Sequence, residues 1–235
     1  MPGMVEHLYY AQLIYHSLSS RSTTKLLRNG DVQLQTEYKQ KLNRERFMLA
    51  EILPDMARSR DDSHFRVHLS KAQGIRVPGL DTLSSAAAFR VDWSMRMGVY
   101  AHLFLDRTFI VNFLVPRFEW EALEGQIFSK ASGKVFTRRN FFSEEGLYSA
   151  YAEATKILVE SGKLKIKSIR NLPKVLPEIG VEALDNIVSE PWRDRIEWYV
   201  AHSKSRTDSL FSADEYISFI ENQAATATAQ ILHME

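Results

Sequence analysis

Along this chain of 235 residues, apolar positions recur mostly at intervals of three and four, the period of a helix that buries one side. In Glu6–Ser19 the stripe is His7, Ala11, Ile14 and Leu18, which predicts a first helix with His7 on its buried side and His16 facing solvent. Arg21–Glu37 is polar and reads as a loop with a partial helix, turning at Asn29-Gly30-Asp31. Tyr38–Ile52 predicts a helix with Leu42, Phe47, Leu49 and Ile52 inward. Pro54 ends it, because proline lacks an amide proton and pushes its predecessor towards extended backbone. The segment LPDMARSRDDSHFRVHLS, from Leu53, reads as a polar connector, and GIRVPGLD, from Gly74, as a second loop. Thr82–Val115 then predicts one long central helix, with Gly98 the place for a kink.

The second half continues in the same period. Ile127–Thr137 breaks it with β-branched and aromatic residues on either side of Ser132-Gly133, the pattern of a short hairpin. Glu144–Gly162 predicts a helix closed by Gly162 in a left-handed cap. Pro173 and Pro177 mark a loop. Val181–Ser203 and Ala213–His233 complete the helices, the last with Ser212 as N-cap. No repeat or compositional break divides the chain. The expectation is a single all-α domain over 1–235, with 1–115 a metal-binding half and 116–235 a helical C-terminal half.

Composition narrows the chemistry. The formal charge is +1 at pH 7, which gives no reason to expect a nucleic-acid partner; Lys130, Lys134, Arg138 and Arg139 read as a solvated basic surface. With no cysteine in the chain, any metal must be held by nitrogen and oxygen, which suits zinc, iron or manganese. The N-terminal MPGMVEHLYY lacks the basic start and apolar run of a secretion signal. Met97–Val115 has the length of a membrane span but contains His102, Asp106, Arg107 and Asn112, which argues against insertion. A soluble, cytoplasmic protein is expected.

The chemistry-bearing residues gather in the first half. His102 and Asp106 stand one turn apart on the apolar face that also carries Met95, Val99, Phe109 and Phe113. A buried imidazole and carboxylate need a partner, a hydrogen bond or a metal, and a simple core pair satisfies that rule as well as a metal site does. His7 lies on another buried stripe, while Asp55 and His64 sit in the polar connector. Five such residues from separate segments exceed what one ion pair needs, and paired metals about 3.5–4 Å apart are a recurring device in phosphoester chemistry. His68, four residues after His64, reads as a helix-face coincidence or a spare ligand.

In the order and approximate spacing of these residues, 4–115 resembles the zinc-dependent phospholipase C family, whose all-α fold is shared with single-strand nucleases. EHLYYAQLIYHSL, with His7, is similar to the family's first-helix histidine; ILPD, ending in Asp55, to its ligand aspartate; SHF, with His64, to its next histidine; and VYAHLFLD to its H-x-x-x-D helix, giving His102 and Asp106. The resemblance implies one zinc held by Asp55, His64, His102 and Asp106, and His7 with a bridging Asp106 at a second. It further implies hydrolysis of a phosphoester or phospholipid-like substrate. Arg58, Arg60 and Arg66 flank the Asp55–His64 loop and read either as phosphate contacts, since guanidinium matches phosphate geometry, or as a solvated basic loop balanced by Asp61 and Asp62. Two departures reduce the site. No tryptophan precedes His7, where the family uses an N-terminal one as a ligand, and no histidine follows Asp106 until His202. The resemblance therefore implies one ion, or two with water completing the second, and no three-zinc cluster. Three readings stay open at this point: a metal-dependent phosphoester hydrolase, a non-catalytic metal- or ligand-binding protein, and a helical protein whose His and Asp residues are core hydrogen bonds.

Overall fold

Helix α1 (Met4–Ser19) is buried on every side from Met4 through Gln12, including the polar Glu6, His7 and Gln12. A helix covered all round has to lie inside its neighbours, and α1 is enclosed by α2 (Arg44–Ala50), α5 (Trp93–Thr108), α7 (Leu147–Glu160), α8 (Trp192–His202) and α9 (Ala213–Leu232). The computed structural model describes residues 2–19, 42–57, 60–64, 67–68, 75–80, 93–121, 125–143, 146–165, 192–202 and 210–234. Outside them fall the expected loop over Arg21–Glu37, the start of the helix expected from Tyr38, the start of the central helix from Thr82, Pro173 and Pro177, and the start of the helix from Val181.

Where the described residues meet the expected helices, caps decide the ends. Helix α2 begins at Arg44, because the Asn43 side chain accepts from the Arg46 amide at 3.1 Å and leaves Leu42 and Asn43 outside the helix. Pro54 does more than stop a helix. It sits in the first turn of a short new one, α3 (Leu53–Met56), where a missing amide proton costs nothing. The connector read as a loop therefore contains α3, α4 (Arg60–Ser63) and strand β1 (Val67–His68), which pairs antiparallel with β2 (Arg76–Val77).

The central rod is continuous from Trp93 to Arg117, as α5, a wider π-helical stretch over Phe109–Leu114, and a last turn Val115–Arg117. It is long and apolar enough to cross a membrane by length and composition, but 78% of its apolar window is buried inside the protein, as a core helix would be. Gly98 lies inside this continuous helix. A Cβ there would lie 2.4 Å from the Phe47 carbonyl oxygen and 2.6 Å from Ala50 Cβ, so its lack of a side chain lets α2 and α5 touch backbone to backbone. The departure from α-geometry comes later, at the π-helical stretch, where Phe109 and Phe113 stack and pack with Phe211, Tyr216 and Phe219.

The all-α expectation needs correction. The described residues are mostly helical, but β3 (Phe118–Glu121), β4 (Gln126–Ser129) and β5 (Val135–Thr137) form an antiparallel sheet in the order β3-β4-β5. The hairpin read over Ile127–Thr137 is β4–β5; the third strand was hidden because Phe-Glu-Trp-Glu is too short to announce an alternation. Trp120 pairs with Ile127 and Ile127 with Phe136, and Phe141 of α6 (Arg138–Phe141) covers that face with rings at 4.9 Å from Phe118 and 5.3 Å from Trp120. Gly162 takes φ +69° after α7, and the Ser212 hydroxyl accepts from the Glu215 amide at the start of α9, both as expected. The main hydrophobic cluster draws residues from Met4 to Leu232, so both halves of the chain contribute to the same core, while Ile75, Val77 and Ile110 form a small second cluster.

Candidate metal centre

The five residues singled out by sequence come together where α1, α3, α4 and α5 meet. His7, His64, His102 and Asp106 have no exposed surface, and Asp55 is 8% exposed. Asp106 stands at the middle. Its Oδ1 is 3.3 Å from His7 Nε2, and its Oδ2 is 3.2 Å from His64 Nε2 and 3.7 Å from His102 Nε2. Asp55 Oδ1 is 3.7 Å from His64 Nε2. The His64 and His102 Nε2 atoms lie 3.1 Å apart.

Each histidine is turned by a bond on its far side. His102 Nδ1–H donates to the Glu51 carbonyl oxygen at 2.5 Å, placing its proton away from the cluster. The Ser63 hydroxyl donates to the Pro54 carbonyl at 2.8 Å; with its one proton committed there, it accepts from His64 Nδ1–H at 3.0 Å. His7 Nδ1–H donates to Glu51 Oε1 at 3.2 Å. All three Nε2 atoms therefore face Asp106. Imidazole nitrogens and a carboxylate oxygen within 3.7 Å are held together by protons shared among them or by a cation.

The electrostatics agree with that arrangement. Burial pushes the His102 imidazole down to about 3, helped by the charge of His7, so it stays neutral. Burial works against a charge on Asp106 too, but His64, His7 and His102 outweigh it and hold the carboxyl well below the usual carboxylate range. Burial lowers His7 as well, yet Asp106 and Glu51 raise it further, to about 10, so without a metal its Nε2 also carries a proton. Glu51 is pushed up to about 8 by burial, against the bond from His7. No Lys or Arg among the described residues pairs with Glu51 or Asp106. Glu51 Oε2 and Asp106 Oδ2 have no hydrogen-bond donor there either. The cluster's negative charge is thus balanced from within by imidazolium, or by a bound cation.

The ligand atoms form two overlapping sets, His7 with His102 and Asp106, and Asp55 with His64 and His102, each within 4.8 Å internally. Nitrogen and oxygen donors at this density fit zinc or another borderline divalent ion. Arg58 and Arg66 lie outside the described residues, as do the side chains of Arg60 and His68. The sequence reading missed Glu51 and Ser63, which orient the histidines. Glu51 had a signal, an acidic residue inside the apolar run MLAEILP and four positions before Asp55. Ser63 had none, since a serine beside a histidine in a polar segment is ordinary.

Glu6, beside His7, is also buried, accepts from the Thr155 hydroxyl at 2.7 Å and is pushed up to about 7 by burial. That bond ties α7 to α1. Comparison of the chain with protein-family models, with curated proteins and with solved structures finds no match.

Proposed function

We propose that the chain is a metal-dependent hydrolase of the zinc type acting on a phosphoester, similar to phospholipase C. Asp55, His64, His102 and Asp106 would hold a first ion, and His7 with Asp106 a second. The observation that carries this reading is the convergence of three imidazole Nε2 atoms and the Asp55 carboxylate on the buried Asp106 carboxylate. The kinship in fold with the zinc-dependent phospholipases and single-strand nucleases belongs to the same proposal, supported by the order in which the five residues occur along 4–115.

A bound zinc supplies acidified water and neutralises charge on phosphoryl oxygens. The chain's own contribution is orientation. Ser63 and the Glu51 carbonyl fix two imidazoles, and the apolar packing of α1 and α5 excludes bulk water from Asp106. Asp55, the one partly exposed ligand, marks the side on which a small or phospholipid-like phosphoester would approach. Arg58, Arg60 and Arg66 flank that side in sequence and are proposed to receive the phosphate. A cytoplasmic setting is part of the proposal.

One observation favours a second reading, a non-catalytic metal-binding protein. His7, His64, His102 and Asp106 have no exposed surface, as in closed structural sites, whereas a catalytic ion needs an open position. Elemental analysis of purified wild-type and Asp106→Asn protein, followed by assay on bis(p-nitrophenyl) phosphate and phosphatidylcholine vesicles, separates the cases. Bound metal with turnover, both lost in the variant, supports the hydrolase. Bound metal without turnover leaves the structural reading. Wild-type protein that takes up no divalent ion sinks both.

A further inference from the structure

We infer that Glu51 is a positioning residue that makes His7 a metal ligand, and that its side chain governs one of two adjoining ion positions and not the other. The inference rests on the metal-binding reading above and divides that site into two parts. Glu51 caps the C-terminal end of α2 and anchors two histidines at once. Its main-chain oxygen accepts from His102 Nδ1 at 2.5 Å, and its Oε1 accepts from His7 Nδ1 at 3.2 Å. The two rings are stacked, with centroids 3.9 Å apart and planes 13° from parallel.

Parallel rings tied through Nδ1 to one residue present their Nε2 atoms side by side, about one ring spacing apart. Each meets a different oxygen of the same carboxylate: His7 Nε2 is 3.3 Å from Asp106 Oδ1, and His102 Nε2 is 3.7 Å from Oδ2. That pairing suits two ions bridged by Asp106, at the separation of about 3.5–4 Å usual in two-metal sites. The labour is split within Glu51 itself. Its carbonyl anchors His102 whatever the side chain is, so the Asp55–His64–His102 position is insensitive to substitution. Its side-chain oxygen alone obliges His7 to keep a proton on Nδ1 and offer Nε2 inward. Without that acceptor His7 can place its proton on Nε2, donate to Asp106 Oδ1 and close the second position.

The test is zinc titration of the full-length protein against a competing chelating indicator, with visible absorption of the cobalt-substituted protein reporting the ligand field and circular dichroism reporting the fold. Wild type should bind two ions. Glu51→Met, which has similar length and no acceptor oxygen, should lose roughly 10–100-fold in affinity for the second ion while holding the first as wild type does. Glu51→Gln keeps an acceptor and should restore the second ion. Should Glu51→Met fail to fold, Glu51→Asp keeps the carboxyl group but withdraws the acceptor by a methylene, and should weaken the second ion alone. The inference is overturned if the variants bind both ions like wild type, or weaken both equally. A wild type holding one ion also overturns it and leaves the metal reading standing, whereas a wild type holding none overturns that reading itself.

Discussion

Ser63 shows how much a single hydroxyl can decide. It stands between the Pro54 carbonyl and His64 Nδ1, at 2.8 and 3.0 Å, and through that pair of bonds sets which His64 nitrogen faces Asp106. Ser63→Ala would leave Nδ1 without its acceptor and free the ring to reverse its tautomer. We expect metal affinity to fall by about 10–100-fold, the usual cost of losing such an outer contact. The accompanying loss of stability should be about 1–3 kcal/mol, since two buried hydrogen bonds are removed without leaving a buried charge. Competition titration and urea unfolding on the same preparation check both numbers. A large loss of stability with unchanged metal affinity would mean that Ser63 serves the fold alone.

Between elements, two contacts carry the geometry. At Gly98, α2 and α5 approach so closely that the next turn of α5 brings His102 under the Glu51 carbonyl. Glycine inside a helix costs about 1 kcal/mol against alanine, so here packing overrides propensity. Gly98→Ala would gain that propensity yet set a methyl against the Phe47 carbonyl. We expect a net destabilisation of about 1–3 kcal/mol, with weakened metal binding as the Glu51–His102 bond lengthens; thermal melting and zinc titration report the two effects. The second contact joins the first and last helices. Glu221 of α9 accepts from Tyr9 of α1 at 2.6 Å and from Lys163 at 2.9 Å, and Lys163 with Tyr9 hold its carboxyl below the usual value of 4.5. A depressed carboxyl stabilises the fold above its unfolded pKa, and that contribution disappears as pH falls through the lower folded value. Glu221→Gln should therefore be less stable than wild type at pH 7, by under about 1 kcal/mol for so exposed a pair. The difference in urea midpoint should shrink towards zero below pH 4.5; a difference constant with pH would assign the effect to shape.

For the molecule as a whole, the centre joins segments far apart in sequence, since α1, the α2–α4 connector and α5 all supply groups to it. An ion bound there would hold these elements together only in the native state. Free ligand at about a thousand times its dissociation constant contributes about 4 kcal/mol, or roughly 8–16 °C in melting temperature for a chain of this size. Melting with and without a strong chelator, at matched ionic strength, should show a shift of that order, reversed by added zinc. An unchanged melting temperature in protein shown to have been loaded would mean that the metal is peripheral to folding.

The helical stripes of His7–Leu18 and of Met95–Phe113 were legible in the sequence because amphipathic periodicity is local, and so were the Ser212 cap, the Gly162 turn and the hairpin at Ser132-Gly133. The same periodicity marked His7, His102 and Asp106 as inward-facing, and the order of residues added Asp55 and His64. Tertiary structure alone decided what these residues meet. Which imidazole nitrogen faces Asp106 depends on a serine hydroxyl and a main-chain carbonyl, and neither leaves a compositional trace. Gly98 reads in sequence only as the place for a kink; its role as a packing surface is invisible there, because its partner, α2, lies some fifty residues away. Strand β3 is stabilised by Ile127 and Phe141 across the sheet, not by its own four residues. Local pattern specifies which side of an element is buried; only the packing of distant elements specifies what lies on that side.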